Sequence, residues 1–107
     1  MIKNLEIFCV TNKHFKFLKK VKYKLAAVGK NKFPKKYLRC DFGNNIFYKE
    51  EYYSELTFHY WFWKNKLEKY KNKNTWIGFC QKRRFWIKPD SEGKEINIKN
   101  IKEHLLQ

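Results

Sequence analysis

Between Glu50 and Tyr70 the large side chains Tyr53, Leu56, Tyr60, Trp63, Leu67 and Tyr70 recur at intervals of three and four residues. A helix gathers side chains at that spacing onto one stripe. Glu50 and Glu51 stand near its start, and Lys64, Lys66, Lys69 and Lys71 near its end, as the helix dipole favours. The spacing predicts a helix over Glu50–Tyr70 whose stripe reads first as core. Its second reading is a platform on which Tyr60, Trp61 and Trp63 stack against a sugar ring or nucleobase. A central aromatic helix of this kind needs an apolar surface to cover it.

Two segments offer that surface. Leu5–Thr11 is almost continuously apolar, which suits a strand buried on both faces, and Thr75–Cys80 is a second compact apolar run. A further strand is expected at Tyr23–Val28, ended by Gly29. Asp41–Asn45 and Lys88–Lys94 carry turn residues, and Ile98–Leu106 reads as a short helix with Asn97 or Asn100 at its start. Helix between strands points to an α/β unit of one domain, residues 1–107. In such sheets ligands gather beyond the carboxyl ends of the strands. The polar loops Thr11–His14 and Gln81–Arg84 fall there.

Charge narrows the class less than it suggests. The 107 residues hold 25 Lys and Arg against 10 Asp and Glu, and 13 of those bases precede Glu50, where only Glu6 and Asp41 are acidic. That half should attract anions. AT-rich coding is a plain alternative source, because Lys, Asn, Ile, Phe and Tyr make up 57 residues and Ala only two. No apolar run approaches the roughly 20 residues of a membrane span, and no secretory leader is visible. Cys9, Cys40 and Cys80 form no CxxC pair with each other, and His14, His59 and His104 supply no zinc spacing. A cytoplasmic protein is expected, with peripheral contact between residues 13–36 and an anionic membrane face as an alternative.

Within this frame Arg83-Arg84 stands out, because Arg occurs only three times against 22 Lys. A guanidinium at a strand end can clamp a diphosphate and stabilise its charge as it leaves; the alternative is pairing with surface carboxylates. Glu55 reads either as a general base or as a helix-start carboxylate, and Asp41 and Asn45 most simply make a turn. No Walker A, GxGxxG or HExxH motif occurs, and no DxD pair to hold a divalent metal.

Tyr53-x-Glu55-Leu56-Thr57-x-x-Tyr60-Trp61-x-Trp63-Lys64-Asn65, followed by Ile77-Gly78-Phe79-Cys80-x-x-Arg83-Arg84-Phe85, resembles a bacterial glycosyltransferase family of capsular and lipopolysaccharide biosynthesis. Thr11-Asn12-Lys13, Val28-Gly29 and Asp41-Phe42-Gly43-Asn44-Asn45-Ile46 match its other motifs in order, so the likeness runs from about residue 5 to 87. The chain departs from the pattern at Asn12 and Gln81, where the family has His, and at Asn44, where it has an acid.

The resemblance implies a partial Rossmann-like, GT-A-like sheet, the N-terminal nucleotide-sugar-binding part of a transferase that continues into an acceptor half. It implies a nucleotide-sugar donor and a glycan or lipid-linked acceptor. Thr11 and Lys13 would lie near the nucleotide, and Arg83 and Arg84 near the diphosphate. Asn45 would contact substrate, and Glu55 and Asp41 are the catalytic candidates. No cofactor is evident, and a divalent metal would have to bind without DxD. Two other classes stay open: a small basic nucleic-acid-binding module, in which stacked bases and lysines supply affinity, and a catalytically inactive accessory of glycan synthesis.

Overall fold

The computed structural model describes residues 4–71, 73–82, 84–97 and 99–106. Four parallel strands form one sheet: β1 (Asn4–Thr11), β2 (Lys24–Ala27), β3 (Leu38–Arg39) and β4 (Thr75–Gln81), in the spatial order β3-β2-β1-β4. β1 is central, pairing with β4 from Asn4↔Thr75 to Val10↔Gln81 and with β2 from Phe8↔Lys24 to Thr11↔Ala27. That position explains its apolar run, since Ile7 and Cys9 face one layer while Phe8 and Val10 face the other. The expected strands at Leu5–Thr11, Tyr23–Val28 and Thr75–Cys80 are all present. The two-residue β3 is an addition.

The sheet lies between two layers, the arrangement of an α/β protein. On one face Phe8, Val10, Ala26 and Val28 pack under Phe58, Trp61 and Phe62. On the other, Ile7, Cys9, Leu25 and Ala27 are covered by Leu18, Val21 and Tyr37, together with Ile101 and Leu105 from the last segment. Tyr23 ties that segment down, its hydroxyl donating to the Trp86 carbonyl at 2.8 Å. The short helix α3 spans Ile101–His104 with Asn100 at its N-cap position; the Asn97 side chain accepts from the N–H groups of Lys99 and Asn100, and Asn100 Oδ1 accepts from the Asn97 N–H. Ile98 lies outside the described residues.

The expected helix over Glu50–Tyr70 is broken into three: α1 (Glu50–Tyr53), α2 (Leu56–Asn65) and a 3-10 turn at Leu67–Tyr70. Ser54 makes the first break. Its φ of 47° and ψ of −122° leave the helical region, while its N–H still donates to the Glu50 carbonyl at 2.8 Å. The stripe is also not the core. Tyr53, Leu56, Trp63 and Leu67 are 41–56% exposed, whereas Phe58 and Trp61 are fully buried. Both readings satisfy a helical period, because α2 is apolar nearly all round. The sheet selects Phe58, Trp61 and Phe62; the rings of Phe58 and Phe62 meet Phe8 and Phe79 at 5.0–6.2 Å, and Trp61 packs beside Phe58 at 5.7 Å.

Candidate functional site

Strands β1, β2 and β3 run outward to one side, and the chain then crosses back to place β4 on the other side of β1. The sheet order therefore reverses between β1 and β4. Beyond the carboxyl ends of two such strands, the flanking loops part and leave a crevice where parallel α/β sheets take their ligands. Here the crevice is a cavity of about 190 Å³ lined by Thr11, Asn12, Glu50, Glu55, Gln81 and Lys82. Lys82 Nζ donates to Asn12 Oδ1 at 2.8 Å and joins the two loops.

Two carboxylates reach this cavity for reasons of backbone geometry. Gly29, with φ of 85°, has no side chain to fill the space beside Glu50; a Cβ there would stand 3.1 Å from Glu50 Oε1. Ser54 also lines the cavity, and its positive φ turns the chain so that Glu50 and Glu55 border one space from opposite sides of the break. A non-glycine residue held there costs about 1–3 kcal/mol, a cost typical of residues fixed at functional sites. Glu50 was not among the sequence candidates. The signal for it was Val28-Gly29, a glycine directly after a buried strand.

Glu55 has a second neighbour space. A cavity of about 350 Å³ shares Glu55 and Gln81 with the crevice and adds Leu56, His59, Phe79, Arg84 and Trp86. Gln81 Nε2 donates to Glu55 Oε1 at 3.0 Å, so this pair forms the wall between the two. His59 lies over Phe79, with ring centroids 4.4 Å apart. Burial lowers its pKa from the ordinary value, with the Glu55 carboxylate opposing. The turn after β4 is closed by paired backbone bonds between Gln81 and Arg84, at 3.1 and 3.2 Å, which brings Arg84 to the second cavity. Arg83 lies outside the described residues.

The other candidates are placed elsewhere. Thr11 is buried, and its hydroxyl is engaged with the chain itself, donating to the Lys13 carbonyl at 2.7 Å and accepting from the Lys13 N–H at 3.2 Å. Lys13 is exposed and lines neither cavity. Asp41 pairs with Arg39 at 3.2 Å beyond β3 and is not brought to Glu55. Asn45 spends its side chain on the turn, donating to the Gly43 carbonyl and accepting from the Phe47 N–H.

That turn explains most of the aromatic helix motif. Tyr60 donates to Asn44 Oδ1, Trp61 Nε1 donates to the Phe42 carbonyl, and Asn65 Nδ2 donates to the Asn44 carbonyl, each at 2.8 Å. Tyr60, Trp61 and Asn65 thus clamp the 42–45 loop onto α2. Trp63 is left outside, 56% exposed, with Lys64 Nζ 3.8 Å from its ring centroid.

Among the described residues no group of three or more His, Cys, Asp or Glu is gathered to hold a metal ion, and no helix is long and apolar enough to cross a membrane. Cys9 and Cys80 face each other in register as free thiols, and the Cys80 thiol is pushed up by the Cys9 thiol beside it and by burial. No curated protein and no solved structure matches the chain. A family model does match, over residues 6–107, and the chain belongs to that family, described as a domain of unknown function (DUF4422).

Proposed function

We propose that the chain is the nucleotide-sugar-binding part of a glycosyltransferase with a GT-A-like sheet, acting in surface-polysaccharide synthesis. The observation that carries the reading is the position of Glu55. It stands at the switch point of a parallel sheet, on the wall between two adjoining cavities. Glycosyl transfer needs an activated sugar and an acceptor hydroxyl in contact, with a base in reach of that hydroxyl, and a carboxylate bordering two adjoining cavities suits that base.

In this reading the Glu55 carboxylate takes the acceptor's hydroxyl proton. The acceptor oxygen bonds to the sugar's anomeric carbon, and the bond from that carbon to the phosphate oxygen breaks. The electron pair leaves with the nucleoside diphosphate, whose charge Arg84 stabilises from the turn after β4. Gln81 orients Glu55 without supplying a proton, since an amide does not titrate in this range. Glu50 borders the crevice and suits the hydroxyls of a ribose or sugar. The likeness of the Tyr53–Asn65 motif to glycosyltransferases supports the same class.

Titration calorimetry with UDP and GDP, without added divalent ion, tests it. Binding is expected to weaken in the Arg83→Ala, Arg84→Ala double variant. It is expected to persist in Glu55→Gln, which should lose release of the diphosphate from a nucleotide sugar. Equal binding by the arginine variant would remove those residues from the site, and no binding of either nucleotide would end the reading.

A further inference from the structure

A cavity larger than the crevice lies away from it, at the amino end of the sheet, and it has the opposite electrostatic character. It measures about 580 Å³, within the range of small-molecule sites. It exists because the helical layer stops short. α2 ends at Asn65, and the following 3-10 turn leaves the first half of β1 and the start of β2 uncovered. The floor is aromatic, with Phe8 from β1 below Phe62 and Tyr70, whose rings stack at 5.7 Å.

Five lysines surround that floor: Lys24, Lys36, Lys66, Lys69 and Lys73. Glu6 is the one carboxylate in the lining, and Lys24 already holds it. Lys36, Lys66, Lys69 and Lys73 make no ion pair among the described residues. The 3-10 turn crowds two of them, since a spacing of three residues returns Lys69 to the side of Lys66. Lys66 accordingly titrates below the ordinary lysine range, chiefly because of the neighbouring Lys69 charge. The crevice, in contrast, has Glu50 and Glu55 against Lys82.

We infer that this cavity is a second binding site, for a compact ligand bearing at least two phosphate-type charges, free in solution or at the head of a lipid. Convergent ammonium groups with no counter-charge fit a multiply charged anion, and the aromatic floor suits a ring or an acyl stem attached to it. The site does not depend on the catalytic reading of Glu55, which lies at the other end of the sheet.

Inorganic tripolyphosphate is the direct probe, by titration calorimetry on the full chain. One molecule should bind, and Lys66→Gln with Lys69→Gln should weaken it about tenfold or more, as expected for losing two charge-assisted hydrogen bonds. Lys19→Gln with Lys20→Gln, on an exposed turn, should leave affinity unchanged. Glu6→Gln should tighten binding, because it releases Lys24. Phosphatidylcholine vesicles with and without phosphatidic acid separate the sources: recruitment lost in the Lys66, Lys69 variant assigns a lipid head, and tripolyphosphate binding alone assigns a free ligand. Equal weakening by both lysine pairs, or several anions bound per chain, would mean diffuse attraction and overturn the site. So would a single-stranded oligonucleotide that binds tightly and is not displaced by tripolyphosphate.

Discussion

Asn65 occupies the space that any side chain on Gly43 would need: a Cβ there would stand 2.6 Å from Asn65 Oδ1. From that position Asn65 receives the Asn44 N–H at 3.4 Å and donates to the Asn44 and Trp61 carbonyls at 2.8 and 2.9 Å. One amide thereby joins the loop after β3 to the last turn of α2. Gly43 itself sits at φ of 68°, where glycine is at no disadvantage.

Gly43→Ala should therefore destabilise the fold by about 1–3 kcal/mol, combining left-handed strain with displacement of the Asn65 amide. Urea unfolding would measure it. Asn65→Ala in the same chain should recover part of the loss, because the steric conflict disappears with the amide. Strict additivity of the two substitutions would show that the residues do not act on one another.

Thr57 presents the opposite case, a group whose chemistry goes unused. Its hydroxyl is buried in α2 with no hydrogen-bond partner among the described residues. Thr57→Val keeps the shape and removes the unsatisfied group, so it should raise stability by about 1 kcal/mol. A loss of stability of that size would reveal a partner for the hydroxyl.

Leu5–Thr11 was legible because a strand buried on both faces has no polar alternation to disguise it. The two residues of β3 were not, since Leu38 and Arg39 are strand only through their pairing with Ala26 and Ala27. The stripe from Tyr53 to Tyr70 misled because Phe58, Trp61 and Phe62 satisfy the same period on a neighbouring face. Nothing local distinguishes the two until the sheet is present. Asn45 reads as a turn residue and is one; the substrate contacts that the family resemblance implied for Thr11 and Asn45 meet side chains that close local turns, a competition typical of Thr and Asn. Glu50 was hidden for the converse reason: its place in the crevice depends on a side chain that Gly29 lacks.

Ser54 gives a third prediction. No serine preference explains φ of 47° with ψ of −122°, a region glycine occupies freely. Ser54→Gly should raise stability by up to about 1 kcal/mol, the strain relieved exceeding the extra entropy of the unfolded chain. Ser54→Ala should bring no such gain. If the bend serves to set Glu50 and Glu55 about one cavity, the glycine variant should also bind nucleotide more weakly despite its higher unfolding midpoint. Tighter binding in that variant would separate the strain from the site.

His59 links the site to pH. Packed at a tilt against Phe79 and half-buried, its imidazole is held below the ordinary value of 6.5 mainly by lost hydration, with Glu55 pulling the other way. Between the folded and unfolded pKa values the unfolded chain binds more protons, so stability rises with pH across that window. The His59 contribution is thus complete above about pH 6.5 and is lost as pH falls through the depressed folded value. His59→Phe should flatten this part of the stability curve, measured by urea unfolding from about pH 7.5 to 5. Glu55→Gln should do the reverse. Removing the one charge that favours imidazolium lowers the folded pKa further, so the wild-type and variant curves should diverge as the medium is acidified. A variant curve that fell no more steeply than wild type would mean that the Glu55 charge does not reach the imidazole, and that the wall between the two cavities is wetter than its packing indicates.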